Sequence, residues 1–337
     1  MCTALHLSVI QWLIALCMQE VEFFAQHGQY DITFGVPFLP FHLQRLVALK
    51  QQCPDTNVRI VLDSSAALAL VNKALDDNVE ACSAICPISV FLKVDCGYHR
   101  AGVDPQADPD GALQLAKAIS SGPYTELFGL YAHSGNAYNT GSGSIGANSI
   151  AGQESACISA FAEKLSKSGV AVQAVSVGST PSCMAVQSLP EAVTEMHPGN
   201  FLFFDLQQVD SGACGAGDVS VAVLSRVLGV YPLRNEILID AGGTAMHKDP
   251  GGVQGWGEVE GHSDLRLLRM SQECTVVGVQ EGVQGGLPLA ERFAVGDMLR
   301  ITPNHSCMTA CQHERFHVLR EHADMQVLAQ WVPCKHW

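Results

Sequence analysis

Charge is scarce in this sequence. Only 15% of its 337 residues are Asp, Glu, Lys or Arg, while 47% are hydrophobic, against roughly 25% charged in ordinary soluble domains. A chain this apolar does not remain disordered. Positive charge is scarcer still: 19 Lys and Arg face 33 Asp and Glu, a formal net charge of −14. The electrostatic footprint of a nucleic-acid binder is therefore missing. Small anionic ligands stay open, because local groups rather than net charge hold them. No basic region stands at the N-terminus, where the first Lys or Arg is Arg45, and this speaks against a secretory signal. The early apolar stretch, residues 5–18, is broken by His6, Ser8 and Gln11 and is too short for the roughly 18 apolar residues of a membrane span. Cys-x-x-Cys pairs are also lacking. The 13 cysteines are odd in number and scattered, which reads as reduced thiols in a cytoplasmic compartment, most of them packed as small buried hydrophobes.

What is present is alternation. Short aliphatic runs at 30–37, 58–63, 88–95, 125–134, 171–178 and 194–201 are separated by helical patterns at 41–52, 64–74, 110–121, 146–168 and 181–191. Heptad-like spacing at Ile150, Cys157, Phe161 and Leu165 predicts that the longest helix lays one face on the sheet. Strands alternating with such helices imply parallel strands and a (β/α) barrel. Six strands are found, or seven if the N-terminal region holds one, whereas a barrel needs eight. After Gly215 strand-like runs (219–228, 236–239, 275–279, 298–301 and 316–319) are joined by Gly-rich turns, and an antiparallel β domain is expected. The expected organisation is an atypical segment 1–18, an incomplete barrel 19–214 and a C-terminal β domain 215–337.

Several motifs carry chemistry. Lys93-Val94-Asp95-Cys96-Gly97-Tyr98-His99-Arg100-Ala101-Gly102 closes a strand. There Arg100 is either a group facing the barrel mouth or a solvated loop residue. Gly178-Ser179-Thr180-Pro181 follows a strand and opens a helix, which suits either a phosphate or a simple helix cap. In Pro303-Asn304-His305-Ser306-Cys307, residues i and i+2 of a strand would share a face. Nitrogen and sulfur would then suit Zn²⁺ with open positions for substrate and water. His313 and Cys311 show the same spacing, and there ordinary packing is expected.

Taken in order, Lys-Val-Asp-x-Gly-Tyr-x-Arg-x-Gly, Tyr-x-His-x-Gly-x-x-Tyr (131–138), Gly-Ser-Thr-Pro, His-Pro-Gly-Asn (197–200) and Pro-Asn-His-x-Cys make a specific set. From residue 21 to 332 the chain resembles the D-serine dehydratase and D-threonine aldolase group of alanine-racemase-like (fold type III) pyridoxal-phosphate enzymes. The resemblance implies an α/β fold, a (β/α)8-type barrel lacking its first strand, followed by an antiparallel β domain. It places Tyr131, Tyr138, Thr180, Gly199 and Asn200 around pyridoxal 5'-phosphate. Ser179, Thr180, Gly199 and Asn200 form the phosphate cup and Arg100 stands near the ring hydroxyl. His197 takes the position facing the pyridine side, with the group that meets the nitrogen left open. His305 and Cys307 resemble Zn²⁺ ligands. The aldolases carry Asp at the second position, so Cys307 favours dehydration. Implied are a small D-amino acid substrate, release of pyruvate and ammonia from D-serine, and a homodimer. A D-threonine aldolase-like lyase is the alternative activity.

One departure bears on activity. The family's lysine, covalent carrier and α-proton base, sits in an Arg-Pro-His-x-Lys-Thr-His-Lys type segment at the end of the first strand. No such segment occurs here. Lys50, Lys73, Lys117, Lys164 and Lys167 fall on helical patterns, Lys248 follows a turn, and Lys335 is near the end. Lys93 alone lies on a barrel strand, on the wrong wall for the Schiff base. The expectation is that no catalytic lysine is present and that the first eighteen residues replace the true first strand. The chain would then be an inactive truncated or mis-spliced product, poorly soluble unless residues 5–16 refill the gap. The alternative is a pseudoenzyme that binds cofactor and zinc without catalysis.

Overall fold

The structure is a computed structural model that describes residues 12–140, 143–249, 251, 255–283, 286–320 and 326–334. The chain forms two compact units, one of Met1–Asn136, Asn148–His197 and His317–Trp337, the other of Ala137–Ala147 and Pro198–Phe316.

The first unit is built on a seven-stranded sheet in the order β1 (Leu13–Ala15), β2 (Asp31–Pro37), β3 (Asn57–Leu62), β4 (Ile88–Lys93), β5 (Thr125–Tyr131), β6 (Ala174–Val177) and β7 (Glu195–Met196). Every pairing is parallel. The six expected runs are six of these strands. They were readable because parallel strands are covered on both faces and so become continuous apolar runs; β4 is buried along its whole length. The seventh strand is β1, where Leu13 pairs with Ile32 and Ala15 with Phe34. Of the segment 1–18, residues 13–15 are a strand of this sheet, while residues 1–11 lie outside the described part. Seven parallel strands with crossover helices make the expected barrel short of one strand. Among the described residues β1 and β7 are its two ends.

Helices α1 (Met18–Gln26), α2 (Leu43–Gln52), α3 (Ser65–Asp76), α4 (Val79–Ile85), α5 (Pro109–Ser120), α6 (Gly143–Lys167) and α7 (Thr180–Ala185) connect the strands. Ser64, Asn78 and Asp108 cap α3, α4 and α5 by accepting a backbone N–H three residues on, which satisfies donors the first turn leaves open. Helices α1 and α4 were not expected, and α7 stops at Ala185 where a helix to 191 was expected. Val186 there turns extended, ahead of Pro190, which has no N–H to donate. Phe34, Phe38, Ile60, Leu92, Leu130 and Ile158 fill the core.

The second unit holds a six-stranded sheet of β8 (Val223–Tyr231), β9 (Glu236–Ile239), β10 (Gly257–Val259), β11 (Leu265–Met270), β12 (Thr275–Val279) and β13 (Met298–Pro303), in the order β10-β13-β8-β9-β12-β11. Its pairings are antiparallel, as expected. Strands β10 and β11 were missed. In β11 a bulge between Leu267 and Arg269 breaks the two-residue alternation on which strand reading depends. Short helices α8 (Leu206–Asp210), α9 (Gly243–Met246), α10 (Leu289–Arg292) and α11 (Ser306–Ala310) complete the unit. The run expected at 316–319 is β14 (Phe316–Leu319), which leaves this sheet to pair with β15 (Val327–Trp331).

All twelve described cysteines are free thiols, as expected, but ten are half-buried and two exposed. The expectation that most are small buried hydrophobes is met in part: Cys53, Cys82, Cys86 and Cys96 pack partly buried against the core. Among the described residues no helix is long and apolar enough to cross a membrane.

Candidate active site

The C-terminal ends of β4, β5 and β6 deliver polar side chains into the apolar first unit. Lys93, the last residue of β4, is 3% exposed. Its Nζ lies 4.2 Å from the centre of the Tyr131 ring and is buried with no hydrogen-bond partner. Burial, helped by the Arg100 guanidinium, lowers its pKa to about 8. Tyr131 ends β5 and stacks on His197, with ring centres 4.5 Å apart and planes 10° from parallel. Burial raises its phenol well above the ordinary range. His197 Nδ1 is 2.9 Å from Ser176 Oγ on β6, whereas its Nε2 is buried and unpartnered. Burial keeps this ring neutral. His133 is neutral too: its Nδ1–H donates to Gly178 O at 2.8 Å, and burial, then the charges of Arg100 and Lys93, lower its pKa to about 4.

The turn into α7 carries Ser179 and Thr180, 1% and 0% exposed. The Ser179 N–H donates to Ser182 Oγ at 2.8 Å, and Ser134 Oγ is 2.9 Å from Ser182 Oγ. Gly178 begins this turn with φ +131, and a Cβ there would meet Cys183 Sγ at 2.4 Å, so the turn admits only glycine. Into the same cluster α6 sends Glu154, 2% exposed. Its carboxylate accepts from Ser134 and from the Gly178 N–H, but Oε1 has no partner. Burial pushes its pKa up to about 7. Sequence reading missed Glu154. The signal was there: it falls on the buried stripe Ala147, Ala151, Ile158, Phe161, Leu165, where an acid is out of place. Arg100 is exposed, its guanidinium 5.2 Å from the Tyr98 ring.

Tyr138, Gly199 and Asn200 belong to the second unit, as do His305 and Cys307. Gly199 is exposed and a Cβ there would meet nothing within 4 Å, so crowding does not demand glycine. Asn200 is 4% exposed and its side-chain amide is engaged at both ends. Nδ2 donates to Asp205 Oδ2 at 2.5 Å and Oδ1 accepts from Ser306 Oγ at 2.8 Å.

The strand argument for His305 and Cys307 is overturned. Strand β13 ends at Pro303, His305 is the N-cap of α11 and Cys307 lies in its first turn, so the two-residue repeat of a strand does not apply. His305 Nδ1 instead meets Asp249 Oδ2 at 2.5 Å. That contact leaves Nε2 for another partner. Cys307 is exposed. Among the described residues no group of three His, Cys, Asp or Glu could hold an ion. An ion here would draw two protein ligands and keep open positions, the arrangement of a catalytic rather than a structural site. His313 donates Nε2–H to Ala245 O at 2.9 Å, the packing role expected of it.

Known proteins agree with this architecture. The alanine racemase N-terminal domain family matches residues 11–207 and the serine dehydratase domain family residues 220–319. The match therefore reaches further upstream than the residue 21 expected from motifs. D-serine dehydratase of Dictyostelium discoideum is 33% identical, over 98% of this chain and 84% of its own. D-threo-3-hydroxyaspartate dehydratase of Delftia sp. is 30% identical over 95% of this chain and 83% of its own. Its solved structure superposes with a TM-score of 0.85 at 29% identity, covering 96% of this chain and 84% of that one. A cysteine-to-alanine mutant of that enzyme, solved in the metal-free form, gives a TM-score of 0.85 at 28% identity, over 97% and 84%. With such similarity along nearly its whole length, the chain belongs to the D-serine dehydratase family of alanine racemase-like enzymes.

Proposed function

We propose that this chain binds pyridoxal 5'-phosphate and Zn²⁺ and serves the dehydration of D-serine to pyruvate and ammonia. The observation that carries this reading is the pair of buried, unpartnered nitrogens, Lys93 Nζ and His197 Nε2, flanking one aromatic ring at the strand ends. Buried polar atoms are nearly always hydrogen-bonded, so two orphans beside Tyr131 support a polar ligand there. The residues present fit the cofactor: Tyr131 and His197 give its ring a flat wall, and Arg100 supplies a cation. Ser179 and Thr180, at the turn into α7, would hold the phosphate. His305 and Cys307 offer the nitrogen and sulfur donors that suit Zn²⁺. When bound, the cofactor supplies an electron sink and the metal polarises the substrate hydroxyl. The chain's own part is to keep His133 and His197 uncharged, so that they orient by hydrogen bonding without competing for the phosphate. A homodimer in the cytoplasm accompanies this reading.

A second reading is favoured by the lysines. None of the eight stands in the family's carrier segment, and among the described residues Lys93 is the one lysine on a barrel strand. A chain that binds both groups without catalysis fits that observation. Incubation with pyridoxal 5'-phosphate, Zn²⁺ and D-serine, followed by a pyruvate assay, tests the first reading. Glycine and acetaldehyde from D-threonine would replace it with an aldolase. Borohydride reduction and peptide mass analysis test the second, because a cofactor adduct on any lysine overturns it. Cys307→Ser should lower bound zinc far more than Cys311→Ser.

A further inference from the structure

The contact between Asp249 and His305 has no part in the proposed chemistry so far. Asp249 Oδ2 lies 2.5 Å from His305 Nδ1, across 56 residues of sequence, with both side chains partly buried. An imidazole that donates Nδ1–H to a carboxylate has its tautomer fixed, with the lone pair on Nε2. The main chain on either side of His305 is locked. Asn304 and Ser306 are 1% and 0% exposed. Asn304 Nδ2 donates to Gly255 O at 2.9 Å, and its carbonyl accepts from the Gln207 N–H at 3.0 Å. The Ser306 N–H donates to Asp205 Oδ2 at 2.8 Å. The torsions of the His305 ring are the freedom that remains, and the Asp249 contact removes it. His313 provides the contrast within the same unit: its Nε2 is bound to a carbonyl, which blocks that nitrogen for any ion.

We propose that Asp249 is a positioning residue for metal binding, holding His305 Nδ1–H so that Nε2 is presented to a divalent cation of the Zn²⁺ class. The inference rests on the zinc reading above. The test is Zn²⁺ affinity of the full chain by competition with a chromophoric chelator, for wild type, Asp249→Ala, Asp249→Asn and His305→Ala. Asp249→Ala should weaken binding about 10–100-fold, the range found when such outer partners of a ligating histidine are lost. Asp249→Asn keeps a carbonyl oxygen for Nδ1–H and should recover most of that loss. It also serves if the alanine variant misfolds. Wild-type affinity in Asp249→Ala, while His305→Ala loses the ion, overturns the positioning role alone, as does an asparagine variant as weak as the alanine one. A wild-type chain that takes up no Zn²⁺ overturns the zinc reading and this inference with it.

Discussion

Asp205 in the second unit and Glu154 in the first are both carboxylates closed off from water, 0% and 2% exposed, yet they are held differently. Asp205 accepts from Asn200 Nδ2, the Ser306 N–H and the Gln208 N–H. Glu154 shares its cluster with Lys93, and each keeps one buried atom without a partner. Full pairing makes a buried charge part of the scaffold. Incomplete pairing leaves buried polarity uncompensated, at a cost in stability.

The largest effect should come from breaking the satisfied side. Asp205→Ala removes three acceptor contacts and leaves buried donors behind. It should cost about 3 kcal/mol or more in urea unfolding of the full chain. A loss under about 1 kcal/mol would erase the contrast with Glu154. Glu154 should behave in the opposite sense, and pH exposes it. Its pKa in the fold is raised from 4.5 to about 7, by burial first, so its contribution is fully present below pH 4.5 and lost as pH rises through 7. Glu154→Gln removes that titration. The variant should match wild type in acid and exceed it above pH 7, by up to about 3 kcal/mol. Parallel stability profiles for the two would break the comparison.

Lys93→Met should cost the least stability of the three. The amine has no hydrogen bond to lose, so near pH 7 the change should stay within about 1 kcal/mol of wild type or stabilise the chain. Because the lysine pKa is lowered from 10.5 to about 8, wild type alone should gain stability as pH rises from 8 toward 10.5. Cofactor binding, followed by absorbance, should weaken in this variant even though stability does not. That split would separate a binding group from a structural one.

The fold was readable where burial leaves a regular trace. Two-sided burial wrote β2 to β6 as apolar runs, and one-sided burial wrote Phe161 and Leu165 onto α6. Strand β11 was unreadable because its bulge shifts the alternation, and β1 because three residues carry too little pattern. The site divides in the same way. Tyr131, His197, Ser179 and Thr180 sit in contiguous motifs; Tyr131 stacks on His197, while Ser179 bonds within its own turn to Ser182. Asn200 was also in a motif, yet its side chain is engaged with Asp205 and Ser306. The His305 and Cys307 pair was read with strand geometry, but the chain turns into a helix one residue after Pro303-Asn304.

Sequence by itself determined the alternation of strands and helices, the family and the residue types at the barrel mouth, because these depend on local periodicity and contiguous motifs. Tertiary structure alone decided which of those residues carry protons and which are fully paired. Glu154 meets Ser134 and Asp249 meets His305 only after the chain has folded, since desolvation and hydrogen bonding depend on what lies nearby in space. The scarcity of charge gains meaning from this. With so few charged groups in the chain, a buried lysine and a buried glutamate in one cluster stand apart from the rest of the core.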